Sequence, residues 1–167
     1  NSGMPAAPSP APTQFAAVEA WFAAQGFAPF AFQREVWSAF AAGESGLVHA
    51  PTGMGKTYAA ALGPIALGPR GSDLRAPPLT LLWLTPLRAL AADTGLALTR
   101  AAGALNPGWT VDVRTGDTPG SGRARQARAL PTALVTTPES LTLMLSRPDW
   151  RERFAHLAAV VCDEWHE

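Results

Sequence analysis

Ala50-Pro51-Thr52-Gly53-Met54-Gly55-Lys56-Thr57 is the stretch from which the fold of this 167-residue chain is read. It follows the phosphate-loop pattern that ends in Gly-Lys-Thr, with Ala50 in the place of the usual first glycine. Leu47 to Ala50 reads as a short apolar strand feeding the loop, and Lys56 to Leu62 as the helix leaving it. Pro51, Thr52, Gly53, Met54 and Gly55 let backbone N–H groups curl around an anion, and the helix N-terminus adds the positive end of its dipole. Lys56 then reaches the β- and γ-phosphates, and Thr57 offers a hydroxyl to Mg²⁺. A Gly-rich turn that merely starts a helix would use similar residues. Against it stand the strand, loop and helix order, and the fact that Lys56 is the sole lysine of the chain. A compact ammonium, not arginine's planar fork, is what that position wants.

Upstream of the loop, residues 1–12 are rich in Pro, Ala and Ser and read as a disordered lead-in, with the folded domain spanning 13–167. Asn1-Ser2-Gly3 before Met4 is set aside from the fold reading. Phe15 to Gln25 has helical apolar spacing, with Thr13 a candidate N-cap and Gly26 a stop; Phe32 to Ala42 repeats the pattern and ends at Gly43. Downstream, Gly63-Pro64 is expected to cut short or kink the helix, and Gly68 to Pro78 reads as a polar connection. Leu79 to Leu84 is a continuous apolar run, as in a strand buried on both faces. Then come a helix over 87–102, a strand over 110–114, a turn-rich loop over 115–122 and a helix over 123–130. A strand over 133–136, a helix from Glu139 to Leu145 and a strand over 157–162 complete the pattern. Strands alternating with helices imply an α/β, doubly wound parallel sheet, in which ligands gather at the carboxyl ends of the strands.

Composition narrows the function. Hydrophobic residues make up 47% and charged residues 16%, so the bulk is globular; Lys+Arg 13 against Asp+Glu 13 gives no overall charge to attract nucleic acid. Any basic surface must be local. Cys162 is the single cysteine, which excludes an internal disulfide and a cysteine metal cluster; it reads as a small buried strand residue. Without a membrane-length apolar run or a signal segment, the expectation is a cytoplasmic protein with no membrane partner. Trp21, Trp37 and Trp83 read as core, as do Phe30 and Phe32, for which stacking on a base is the alternative.

The second anchor is Val160-Val161-Cys162-Asp163-Glu164-Trp165-His166-Glu167. A phosphate loop holds Mg²⁺ incompletely, and a carboxylate at the end of a nearby strand completes the set; Asp163 fits. Glu164 beside it can orient and deprotonate an attacking water. An acidic strand end facing solvent is the bland alternative. Two further segments repeat one arrangement after a strand: Thr85-Pro86-Leu87-Arg88 and Thr137-Pro138-Glu139. Each threonine can cap a helix with proline in its first position, and the same N-terminus can bind a phosphate, with Arg88 adding charge. Arg123, Arg125 and Arg128 read as a solvated helix face with nucleic-acid contact as the alternative.

Gly53-Met54-Gly55-Lys56-Thr57 with Asp163-Glu164-Trp165-His166 resembles the first and second motifs of superfamily 2 helicases of the Asp-Glu-x-His type. Phe27, Pro29 and Gln33 are similar to the upstream glutamine motif that reads adenine, Gln33 supplying the paired donor and acceptor, with a polar residue on a helix face as the bland alternative. Thr85-Pro86-Leu87-Arg88-Ala89-Leu90 and Thr137-Pro138-Glu139-Ser140-Leu141 resemble the motifs that grip a nucleic-acid backbone. Phe32-Gln33-Arg34-Glu35 and Arg114-Thr115-Gly116-Asp117-Thr118 add a likeness to the large helicase-related group, in particular its ligase-associated DNA-repair branch.

The resemblance implies the N-terminal RecA-like ATP-binding domain of a helicase, truncated at the second helicase motif. It implies ATP and Mg²⁺ as cofactors, with Lys56, Asp163 and Glu164 catalytic and Thr57 and Asp163 holding the metal. Thr85, Pro86, Arg88, Thr115, Gly116, Asp117, Thr137, Pro138 and Glu139 would contact the strand, and His166 would couple the two sites. The implied partners are single-stranded or partly duplex DNA, a second RecA-like domain carrying an arginine finger, and DNA-ligase or nuclease repair proteins; the implied movement is 3′-to-5′. The fragment alone is expected to hydrolyse ATP weakly. Two rivals stay open: an RNA helicase, since 2′-hydroxyl contacts are not legible here, and an ATP-binding switch or scaffold that moves no nucleic acid.

Overall fold

The computed structural model describes residues 13–164 apart from Thr52, Met54 and 72–74. At its centre four parallel strands, β1 (Leu81–Leu84), β2 (Val111–Arg114), β3 (Ala133–Thr136) and β4 (Ala159–Cys162), lie in the order β2-β3-β1-β4. The helices are α1 (Ala16–Ala24), α2 (Ala31–Ala41), α3 (Lys56–Leu67), α4 (Arg88–Leu105), α5 (Gly120–Arg128), α6 (Pro138–Leu145) and a short α7 (Trp150–Arg153). This is the expected α/β, doubly wound arrangement.

Alternation along β1 shows why its sequence is apolar throughout. Leu81 and Trp83 enter a large core shared with α1 to α4, while Leu82 and Leu84 join a smaller core with Leu134, Met144 and Phe154. A strand covered on both faces has no polar side to display. On the larger side Trp37 is 1% exposed and donates its indole N–H to the Tyr58 carbonyl at 3.0 Å. Arg34 joins α2 to α1 by a two-pronged bond to Glu19 at 2.6 and 2.8 Å, which holds the Glu19 carboxyl below its ordinary range.

Several expectations are corrected. Residues 47–50 join no strand ladder among the described residues, and Leu47 is 70% exposed. An apolar run supplies a tendency to be buried but not a neighbouring edge, which a strand needs about 5 Å away. α3 does not stop at Gly63-Pro64 but continues to Leu67. Proline inside a helix costs roughly 3 kcal/mol, and burying Leu62 and Ile65, both fully buried, contributes on the order of 2 kcal/mol each, so burial wins. Thr13 opens a 3-10 turn and Phe15 occupies the N-cap of α1. α5 begins at Gly120 rather than 123, and α7 was not expected. Phe30 is 48% exposed, stacked on Phe32 with ring centroids 5.9 Å apart, and Cys162 is exposed on β4. β4 alternates between half-buried and exposed positions, which leaves an outward place for a cysteine.

Candidate nucleotide and nucleic-acid site

The strand register assembles the candidate residues. Leu84, Thr136 and Cys162 are aligned across β1, β3 and β4, and Arg114 is aligned with Thr136. The residues that follow are therefore Thr115, Thr137, Thr85 and Asp163, in a row along the carboxyl edge of the sheet. Two backbone bonds carry the pairing one step past the strands: the Thr85 N–H donates to Thr136 O at 3.0 Å and the Asp163 N–H to Leu84 O at 2.8 Å. In an open parallel sheet this edge is where ligands bind.

Gly55, at φ +77°, precedes Lys56, the first residue of α3, with Lys56 and Thr57 half-buried; Thr52 and Met54 lie outside the described residues. A Cβ on Gly55 would lie 2.6 Å from Gln33 Nε2, so both the left-handed backbone and the close approach require glycine. Gln33 is 2% exposed. Its Oε1 accepts from the Phe30 N–H at 2.9 Å and its Nε2 donates to the Gly55 carbonyl at 3.0 Å. The amide thus ties the start of α2 to the phosphate loop, an arrangement for which the sequence pattern alone gave no signal. Removing it leaves a partly buried donor and acceptor, the Phe30 N–H and the Gly55 carbonyl, without their partner. Gln33→Ala should therefore lower unfolding stability by about 1–3 kcal/mol, measured by urea denaturation. Nucleotide titrations on the same variant separate two roles. Equal weakening of ATP and GTP marks loop support, whereas loss confined to ATP adds recognition of the base.

Asp163 and Glu164 follow β4. Asp163 Oδ1 accepts the Glu164 N–H at 3.1 Å, and Glu164 stands at φ +48°. That left-handed backbone costs a non-glycine residue on the order of 1 kcal/mol, the kind of strain that clusters at functional sites. His166 lies outside the described residues. No group of three or more His, Cys, Asp or Glu that could hold a metal exists among the described residues. A hydroxyl from Thr57 and a carboxylate from Asp163 still suit Mg²⁺, which takes oxygen ligands and is commonly held by one or two protein groups plus substrate phosphates.

The two threonine segments differ. Thr137 caps α6 as expected, accepting the Ser140 N–H at 3.4 Å with Pro138 in the first turn. Thr85 does not cap α4, which starts at Arg88 after Leu87; its hydroxyl accepts the Leu87 N–H at 3.4 Å. Because Thr85 is still bonded to the neighbouring strand, the chain needs two more residues to turn. That delay brings Arg88 over the 115–117 loop. A Cβ on Gly116 would meet Arg88 Nη2 at 2.6 Å, and Arg88 Nη1 stands 3.3 Å from Asp117 Oδ1. Both side chains are mostly exposed, so the pair contributes at most about 1 kcal/mol and can exchange partners readily. Thr115 braces the loop, its hydroxyl accepting the Asp117 N–H at 3.2 Å. Arg123, read from sequence as part of a solvated face with nucleic-acid contact as the alternative, donates to the Gly116 carbonyl at 2.6 Å. Arg125 bonds both oxygens of Asp112 at 2.9 Å. No described helix is long and apolar enough to cross a membrane.

The family model of the DEAD/DEAH box helicase matches residues 30–167. The Lhr helicase/probable uracil glycosylase of Mycolicibacterium smegmatis is 39% identical over 158 residues, which is 87% of this chain and 10% of that protein. The ATP-dependent helicase Lhr-Core of Sulfolobus acidocaldarius is 35% identical over 135 residues, covering 75% of this chain and 15% of its own length. A solved structure of Mycobacterium smegmatis helicase Lhr bound to ssDNA and AMP-PNP superposes with TM-score 0.69 at 36% identity, over 93% of this chain and 20% of that one. The DUF1998 helicase MrfA, bound to DNA and AMPPNP, shares the fold with TM-score 0.72 at 24% identity.

Proposed function

The chain belongs to the DEAD/DEAH box helicase family, and from that membership we propose that it forms the N-terminal ATP-binding part of an ATP-dependent DNA helicase. Lys56 contacts the β- and γ-phosphates at the head of α3, the loop glycines give backbone N–H groups room to face them, and Gln33, whose amide is already bonded to Phe30 and Gly55, meets the adenine edge only with its remaining N–H and lone pair. Thr57 and Asp163 would hold Mg²⁺, which would supply charge neutralisation at the phosphates. Glu164 accepts a proton from the attacking water. A second RecA-like domain supplies the arginine finger, and closure and reopening of the two domains moves the strand. The proposal extends to 3′-to-5′ movement, a cytoplasmic repair role and His166 as the coupling residue.

What supports a nucleic-acid track in particular is the approach of Arg88 to Gly116 and Asp117 beside the Thr115, Thr137 and Thr85 row. A switch that only binds ATP has no use for an arginine held at that edge. In a chain of zero net charge, backbone amides and one guanidinium supply the phosphate grip, while Thr85, Thr115 and Thr137, all buried, use their hydroxyls to brace the backbone that presents those amides. Such contacts are blind to base identity and weaken with salt. In the intact protein, Arg88→Ala should weaken single-strand binding severalfold for all sequences alike and lower the salt slope by up to about 0.7, with ATP binding unchanged. Fluorescence anisotropy across a salt series measures this. An unchanged slope removes Arg88 from the track.

A further inference from the structure

On the face of the sheet opposite α3 and α4, a cavity of about 270 Å³ opens between α5, α6 and α7. Four guanidiniums line it: Arg114 from the end of β2, Arg123 from α5, Arg147 just after α6, and Arg153 from α7. Leu130, Met144 and Phe154 line it as well and belong to or pack against the smaller core. The chain partly neutralises this cluster. Asp149 bonds Arg147 at 3.0 Å and Arg153 at 2.6 Å, and these two arginines hold its carboxyl at about 2. Arg153 also donates to the Gln126 carbonyl at 3.3 Å and to that of Ala127. Arg123 donates to Gly116.

Arg114 is the exception. Its guanidinium is half-buried and has no hydrogen-bond or carboxylate partner among the described residues. Burial, then the positive charges of Arg123 and Arg147, push it below arginine's ordinary value. A half-buried cation facing like charges is a cost that an anion removes.

A second, independent observation comes from Gln126, which lines the same cavity and is 1% exposed. Its Nε2 donates to the Val113 carbonyl at 3.3 Å, while its Oε1 is buried with no partner among the described residues. A buried acceptor without a donor costs about 1–3 kcal/mol. The cavity therefore asks for negative charge and for one hydroxyl donor together. Phosphate supplies both, as a P–OH beside anionic oxygens or as an ester with a neighbouring sugar hydroxyl.

We propose that this cavity is a phosphate-binding site, with Arg114, Arg123 and Arg147 holding the phosphate oxygens and Gln126 accepting a hydroxyl from the ligand. Planar guanidiniums match phosphate geometry in pairs, which makes arginine the suited residue. The phosphate comes either from a small phosphate or phosphomonoester in solution or from a nucleic-acid strand continuing past Thr115, whose sugar hydroxyl is then a ribose 2′-OH or a strand-terminal OH, because an internal deoxyribonucleotide carries none.

The test uses the intact protein carrying Lys56→Ala, so that the phosphate loop does not compete. Inorganic phosphate is titrated against chloride at constant ionic strength while thermal unfolding is followed. Phosphate should raise the melting temperature of this parent. Adding Arg114→Gln should weaken the phosphate effect about tenfold and raise the phosphate-free melting temperature, because the like-charge repulsion is gone. Arg147→Gln should weaken the effect as well, and provides the reading if the first variant folds poorly. Arg128→Gln, on the exposed side of α5, should change neither. No stabilisation by phosphate, or equal stabilisation in the Arg114 and Arg147 variants, overturns the proposal. A labelled single strand then distinguishes the sources. Displacement by phosphate that is lost in Arg114→Gln assigns the site to a strand phosphate; no displacement, with phosphate still bound, assigns it to a small molecule.

Discussion

Lys56→Ala in the intact protein is expected to reduce ATP hydrolysis by at least about 100-fold. Two contributions are lost together. In the proposed role the ammonium at the first position of α3 would neutralise charge on the phosphates in the ground state and would stabilise the larger charge that develops in transfer. The rest of the chain offers no second lysine, since the other twelve Lys/Arg positions are all arginine, whose planar fork does not replace a compact ammonium. Affinity for ATP should also fall, because the proposed role has the lysine contact the bound nucleotide as well as the transition state. Steady-state ATPase rates and a nucleotide-binding titration check both parts. An activity within about threefold of the parent is far short of the loss expected for such a charge and would remove Lys56 from the reaction.

Glu164→Gln should behave differently. The substitution keeps the shape and the backbone strain at φ +48° but removes the basic carboxylate. Positioned acid–base groups contribute about 10²–10⁴-fold, so hydrolysis should fall by that order while ATP remains bound. The separation matters: Lys56→Ala affects binding and turnover, whereas Glu164→Gln affects turnover. A Glu164→Gln protein that loses ATP affinity in proportion to its rate would make Glu164 a binding or folding residue. Unchanged turnover would leave the role of base to another group.

The parts of the fold that could be read from sequence are those where one local signal suffices. β3 was legible as a short run buried on both faces, and Thr137-Pro138 as a cap because the hydroxyl and the proline act within one turn. Where the outcome depends on a distant neighbour, the reading failed. Residues 47–50 have the right composition for a strand and no ladder partner among the described residues. Pro64 stays within α3 because Leu62 and Ile65 are buried beside it, and that burial is a tertiary fact. Thr85 looked like Thr137 but is held by its bond to Thr136, which only the register reveals. α7 is four residues long, too short for any periodicity to announce. At the site, the row of strand ends follows from the order of strands and helices. The bond from Gln33 to Gly55, and the approach of Arg88 to Gly116, depend on contacts across 22 and 28 positions that no local pattern encodes.

The central claim is that ATP turnover at the phosphate loop is linked to a nucleic-acid strand at the same sheet edge. The ATPase rate of the intact wild-type protein with and without single-stranded DNA tests it most directly. The rate should rise on adding DNA, and Arg88→Ala should diminish that rise more than it diminishes the basal rate. Stimulation by RNA alone would move the substrate from DNA to RNA, and a rate unchanged by either nucleic acid would contradict the account in favour of an ATP-binding switch.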